Sequence, residues 1–459
     1  MTTAPAPVAP APPLSRNRDF ALLWSGEAVS VLGSMTTLVV LPVLAVSLGA
    51  SAGWMGVLTA AVWLPWLVLG LPAGAWVDRG DNRRLMIAAD LLGALVLASV
   101  PLAWALGVLG LPHLVLAALG SGVKDVVFRT AYPGLLTRLV RPQDLEAANG
   151  RVYGTESAMQ VAGPGAGGLL VQLVGGALAL VVDVVSFLVS ALCLWRIRGG
   201  RPERAAPDLE RERVGPMVRE GLRVTFGDRY LAWFTVQGGA SNFALTGYQT
   251  LLVLFLLRDL EATPGSVGLL LALGATGGLV GAVVAARVSR LLGSARAMLV
   301  LQLAGGPPAL LVGLASPGHG IWLVPLGSAL VGLGLVGANV VRGAFRQRWV
   351  PADLLGRTSG AAAVVNFGTM PLGALVAGGL GGAVGLRQTI LLMAGLHVVA
   401  TLATLLSPWA RLRDLPSGRL DDPGRRDEAR DRGGVRPGRA AAGAAAGRAP
   451  RRGRAARRR

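Results

Sequence analysis

The chain has 459 residues, of which 53% are apolar, 15% are charged and 65 are glycine, and its formal net charge is +19. Soluble domains carry roughly 25% charged residues, and apolar runs of about 18 residues or more, long enough to span a bilayer, recur here from end to end, which excludes a soluble globular domain. One cysteine, Cys193, excludes an internal disulfide, and His113, His319 and His397 stand too far apart for metal-ligand spacing, so neither a metal nor a cofactor is expected.

The Pro/Ala-rich stretch 1–19 is expected to be a disordered tail with no cleavable signal peptide, because the first apolar run is too long for one. Twelve spans follow, at 20–48, 54–77, 85–107, 112–137, 146–173, 177–195, 230–257, 265–288, 296–315, 320–345, 356–382 and 385–406. The expected fold is an all-α membrane protein with twelve transmembrane helices in two six-helix pseudo-repeats. The first half is 20–195, a charged linker loop occupies 196–229, and the second half is 230–406. Segments on one side of the bilayer hold 23 arginines before the tail, and the opposite loops hold two, Arg258 and Arg387. Basic residues concentrate in the cytoplasm, so both termini are expected inside, in a bacterial inner or plasma membrane.

The first span places Glu27, Ser30, Ser34 and Thr37 within about 80° of arc at 100° per residue. Between the second and third spans lies "GAWVDRGDNRR" (74–84), with Gly74, Asp78, Arg79, Arg83 and Arg84. The fourth carries Ser121, Asp125, Arg129 and Tyr132 on one stripe, with the chain's only lysine, Lys124, at its edge. Asp125 and Arg129 are one turn apart, where they can pair. The fifth span holds Glu156 and Gln160, then "GPGAGG" with Gly163, Pro164, Gly167 and Gly168. Proline removes a backbone donor there and glycine permits close helix approach. In the seventh span Thr235, Asn242, Thr246 and Gln249 fall within about 60°, and the tenth carries Asn339 and Arg342. Charges inside a bilayer face the bundle interior or water and are functional candidates. Asp90 and Asp183 lie nearer the span ends and read as structural.

The halves repeat. "VFRTAY" (127–132) precedes "PQDL" (142–145), and "VVRGAF" (340–345) precedes "PADL" (351–354). Two homologous halves with a site between them near mid-membrane are a transporter architecture.

The 74–84 loop resembles the Gly-x-x-x-Asp-Arg-x-Gly-Arg-Arg motif of the major facilitator superfamily, with Asp81 in place of its second glycine and Asn82 in place of a basic residue. "GPGAGG" resembles an element of exporting members, and the pattern is similar to the branch holding enterobactin-type siderophore and multidrug efflux permeases. The resemblance implies a loop acting as a conformational latch, with Asp78 at the N-terminus of the eleventh span and Gly74 letting two helices approach. It also implies a central cavity lined by spans 1, 4, 7 and 10, which are the spans with polar stripes here.

Proton-coupled export by alternating access is the function expected, with a small molecule (a drug, siderophore or metabolite) and protons as partners and no enzymatic activity. Glu27 has no cation near it in sequence and is the first candidate for proton exchange, ahead of Glu156 and Asp125. The rival readings are an uptake carrier or facilitator of the same fold and a non-transporting membrane sensor or assembly partner. No nucleotide-binding Gly-x-x-x-x-Gly-Lys-Ser/Thr element is present. Residues 411–459 hold 16 Arg against six acidic residues, so 407–459 reads as a disordered basic tail facing anionic lipids. It lacks the folded module or aromatic platform that nucleic-acid binding needs. A monomer is expected.

Overall fold

Apolar stretches punctuated by cap residues set the helix ends. Asn17 accepts from the Phe20 amide at 2.9 Å, Asp81 from Arg83 at 3.1 Å, and Asp228 from Leu231 at 2.8 Å, each satisfying amides that a helix N-terminus leaves open. The computed structural model describes residues 13–199 and 214–418, apart from the side chains of 71, 75, 78, 79, 214–218, 352 and 353. The first half is built from α1 (Arg18–Ser47), α2 (Ala52–Arg79), α3 (Asn82–Ala105), α4 (Leu111–Leu139), α5 (Leu145–Val174) and α6 (Gly176–Arg196). After the short α7 (Val214–Gly227), the second half has α8 (Arg229–Arg258), α9 (Pro264–Leu292), α10 (Ser294–Gly305), α11 (Ala309–Leu314), α12 (Leu323–Trp349), α13 (Ala352–Val384) and α14 (Leu386–Leu402). Among the described residues, eleven spans are long and apolar enough to cross a membrane by length and composition. The more polar α5 completes twelve, and large apolar side chains such as Leu95, Leu116 and Val283 point outward from the bundle.

The pseudo-repeat is visible in the junctions. Gly175 joins α5 to α6 at φ 83°, and Gly385 joins α13 to α14 at φ 94°, a backbone region open to glycine at little cost.

Three features differ from the sequence expectation. The ninth span is broken into α10 and α11 at 306–308, where Pro307 and Pro308 cannot donate to a helical ladder. The linker is not all loop: α7 packs against α13, Gly221 lies against the Arg357 carbonyl, and Glu220 pairs with Arg357. The basic tail begins later than 407. Trp409 is buried with Tyr230, Trp233 and Phe234, and the Ser294 amide donates to Asp414 at 2.9 Å. An aromatic payload of this size orders the chain that carries it. Residues 1–12, 200–213 and 419–459, with most of both proposed tails and part of the linker, lie outside the described residues.

The two halves meet mainly at the end remote from the termini. A Cβ on Gly56 would lie 2.7 Å from the Ala374 oxygen and 3.0 Å from Gly378 Cα, and one on Gly168 would lie 2.7 Å from Gly268 Cα. Arg258 Nη2 donates to the Ala50 carbonyl across the same end at 2.9 Å. One apolar cluster there joins residues of both halves, from Val39–Leu44 to Leu251–Leu256. At the other end each half has its own cluster, around Phe20 and Leu135 in the first and around Phe234 and Trp409 in the second. No described atom lies within 4 Å of a Cβ placed on Gly74, Gly150, Gly154, Gly356 or Gly360 at that end. The bundle is closed at one end and parted at the other.

Candidate functional site

Polar groups collect in two places, one in each half. In the first half, Glu27 on α1 sits among charges from α3, α4 and α5: Lys124, Arg129, Asp90 and Glu156 act on it electrostatically. Arg129 Nη1 donates to Glu156 Oε1 at 3.1 Å. Lys124 Nζ reaches Asp125 Oδ1 at 3.5 Å and Asp90 Oδ1 at 3.9 Å. Asp183 on α6 accepts from Thr37 at 2.5 Å and from Ser186 at 2.9 Å. Glu27 Oε2 is buried with no hydrogen-bond partner among the described residues, as are both Asp90 oxygens, but Asp90 has Lys124 at 3.9 Å and Glu27 has no ion pair among the described residues. The buried Ser121 and Tyr132 hydroxyls also have no hydrogen-bond partner among the described residues.

Several expected neighbours are rearranged. Asp125 makes no ion pair with Arg129 among the described residues; the guanidinium donates instead to Glu156, across on α5. Lys124 does not border the open stripe. It turns inward between α3, α4 and α6, 5% exposed, with its ammonium 4.1 Å from the centre of the Phe187 ring, a favourable cation–π placement. Thr37 faces α6 through Asp183, and Ser30 is buried, so the α1 stripe is divided. A Cβ on Gly26 would meet Cys193 and one on Gly33 would meet Ser186, both on α6, which sets that face of α1 against α6. Ser34 stays half-buried on the Glu27 side, and Gln160 is exposed on α5.

In the second half a cavity of about 270 Å³ opens among α8, α10, α12, α13 and α14. Asn242, Asn339 and Arg342 line it, whereas Thr246, buried, and Gln249, exposed, stand outside it. Arg342 Nη2 donates to Gln237 Oε1 at 3.0 Å, and Gln302 Nε2 approaches the same oxygen at 3.5 Å. Ser241 Oγ lies 3.1 Å from His397 Nδ1, and Asn242 donates to Asn366 at 3.2 Å. Gln237, Gln302, Asn366 and His397 are not among the residues expected from the sequence, because none of them falls on the polar stripes of the seventh and tenth spans. Gln237 and Ser241, one turn apart on the seventh span, were the available signal.

The two motifs divide by whether their side chains are described. Those of Asp78 and Arg79 lie outside the described residues. Arg83 Nε donates to the Leu194 carbonyl at 2.7 Å, and its Nη2 to that of Trp195, so it closes the C-terminus of α6. Asp81 caps α3 and meets Arg84 at 3.5 Å, which accounts for an acid where the resembled motif has glycine. Gly74 brings no helix close in this arrangement, contrary to expectation. In "GPGAGG", Gly163 and Gly167 pack on Met35 and Thr36 of α1, while Gly168 and the Pro164 carbonyl meet Gly268 of the other half.

Residues 8–434 match the family model described as transmembrane secretion effector. The chain is 29% identical over 406 residues to the multidrug efflux pump Tap of Mycolicibacterium fortuitum, covering 87% of this chain and 96% of that one. It is 22% identical over 381 residues to macrolide efflux protein A of Streptococcus pyogenes, covering 81% and 92%. A crystal structure of a bacterial homologue of the iron transporter ferroportin in an inward-facing state superposes with a TM-score of 0.69 at 16% identity, over 86% of this chain and 99% of that one.

Proposed function

Since the chain belongs to the transmembrane secretion effector family of major facilitator transporters, we propose that it exports a small molecule in exchange for protons, with Glu27 as the coupling carboxylate. One observation carries the proposal. Asp90 and Asp125 each meet Lys124, Glu156 meets Arg129, and Asp183 meets two hydroxyls, but Glu27 Oε2 is buried with no partner among the described residues. A carboxylate held by a cation is committed to its charge. One without a partner can exchange a proton as its surroundings change.

The geometry supports alternating access. With both termini in the cytoplasm, the parted end faces inward and the glycine seams of Gly56 with Gly378 and of Gly168 with Gly268 seal the outside. Opening outward separates those seams and brings the inner ends of α2 and α13 together, the state in which Gly74 permits close approach. The names of the relatives, a multidrug efflux pump and a macrolide efflux protein, favour export over uptake.

Everted membrane vesicles test the proposal. An acid-inside gradient should drive erythromycin, a macrolide, into vesicles holding the wild-type chain and not into vesicles holding Glu27→Gln. Uptake only under the opposite gradient would make the chain an importer.

A further inference from the structure

Arg342 occupies the position that Arg129 occupies in the first half, since "VVRGAF" at 340–345 repeats "VFRTAY" at 127–132. Their surroundings differ in one respect. Arg129 has Glu156 at 3.1 Å and Asp125 one turn before it. One turn before Arg342 stands Ala338, and between Arg258 and Asp414 the acidic residues are Asp259, Glu261 and Asp353, all at span ends. No carboxylate pairs with Arg342 among the described residues. Its contacts are neutral: the Gln237 oxygen at 3.0 Å and the Phe234 ring, whose centre lies 5.5 Å from the guanidinium carbon. Its Nε is buried with no acceptor among the described residues.

A guanidinium held inside a span without a counter-charge is costly, and its fork of donors matches a carboxylate. The donors that surround it reinforce this. Gln302 Nε2 points at the same Gln237 oxygen, and Asn339 and Arg346 line the same cavity. The amide oxygen of Gln237 already faces two donors, so Arg342 keeps unused hydrogen-bonding capacity beside an open space.

We propose that this cavity binds a singly charged anionic group, either a carboxylate on a transported molecule or a free halide, and that Arg342 is the charge that recognises it. Only the carboxylate alternative rests on reading the central polar region as the transport path. Binding measured at equilibrium, with no pH gradient, is independent of proton exchange at Glu27, so either reading can fail alone.

The test is thermal unfolding of the purified full-length protein titrated with sodium benzoate, benzamide or sodium chloride, with sodium sulfate balancing ionic strength. Benzoate should raise the midpoint saturably and benzamide should not. A saturable shift with chloride alone assigns the site to the halide. Arg342→Gln should abolish the shift, and Arg342→Lys should weaken the affinity for benzoate about tenfold or more by losing the fork. Asn339→Asp, three residues before Arg342 on α12, supplies an internal carboxylate and should also abolish the shift, which decides the matter should Arg342→Gln fail to fold. Equal shifts in wild type and in Arg342→Gln or Asn339→Asp, equal shifts with benzoate and benzamide, or no saturable shift with benzoate or chloride would overturn the proposal.

Discussion

Replacing Gly168 with valine should hold the transporter open on the side that is closed here. A Cβ at this position lies 2.5 Å from the Pro264 oxygen and 2.7 Å from Gly268 Cα. Both obstacles are backbone, so no side-chain rotation relieves the clash and α5 must separate from α9. Overpacking of this kind costs about 1–3 kcal/mol. The cost falls only on the state in which the halves meet at this seam, so the equilibrium should move about 5- to 150-fold toward the other state. Gly167→Ala is the control: its Cβ meets the Thr36 oxygen at 2.7 Å, inside one half. It should lower thermal stability without moving the equilibrium. Spin labels at Leu173 and Leu269, exposed on α5 and α9, in a Cys193→Ala background, report the separation by pulsed electron resonance. Gly168→Val should populate a longer distance that Gly167→Ala does not. A wild-type distance distribution in a folded Gly168→Val protein would refute the account of the seam.

Asp90→Asn should destabilise the protein by up to about 3–5 kcal/mol, since the buried Lys124 then keeps only the partly exposed Asp125. Asp125→Asn should cost far less, because that carboxylate is 37% exposed and Arg129 is held by Glu156. Equal losses in thermal unfolding would contradict the assignment of partners. Trp409→Ala in the full chain should cost about 3–5 kcal/mol, as for a fully buried aromatic, and an unchanged melting temperature would mean that the packing around Tyr230 does not hold the tail. Arg83→Gln should lower stability by about 1–2 kcal/mol by releasing two α6 carbonyls, read by the same unfolding assay.

The twelve spans, the duplication and the Gly168 contact were legible because bilayer length, repeated "VFRTAY" and "VVRGAF" segments and glycine spacing are local or periodic signals. Partner choice was not. Asp125 and Arg129 share a turn of one helix, but whether Arg129 meets Asp125 or Glu156 depends on where α5 crosses α4, which no spacing within α4 encodes. A helical wheel places Lys124 at the edge of the α4 stripe, and only the position of Phe187 and Asp90 on neighbouring helices shows that it points inward. The second-half cavity is legible in part: Asn242, Asn339 and Arg342 stand on the expected stripes, but Gln302, Asn366 and His397 come from α10, α13 and α14, where no stripe within one helix encodes their convergence. The composition of 407–459 hides Trp409, a lone tryptophan ahead of an Arg-rich stretch, which is buried.

The most direct measurement is the pH dependence of transport in everted vesicles by wild type and Glu27→Gln, with gradient-driven accumulation and substrate exchange followed separately. Glu27→Gln should lose accumulation driven by an acid interior and keep exchange of preloaded substrate, because the amide preserves the size and hydrogen bonding of the side chain while removing the proton site. Accumulation by Glu27→Gln with the wild-type pH dependence would contradict proton coupling at this carboxylate.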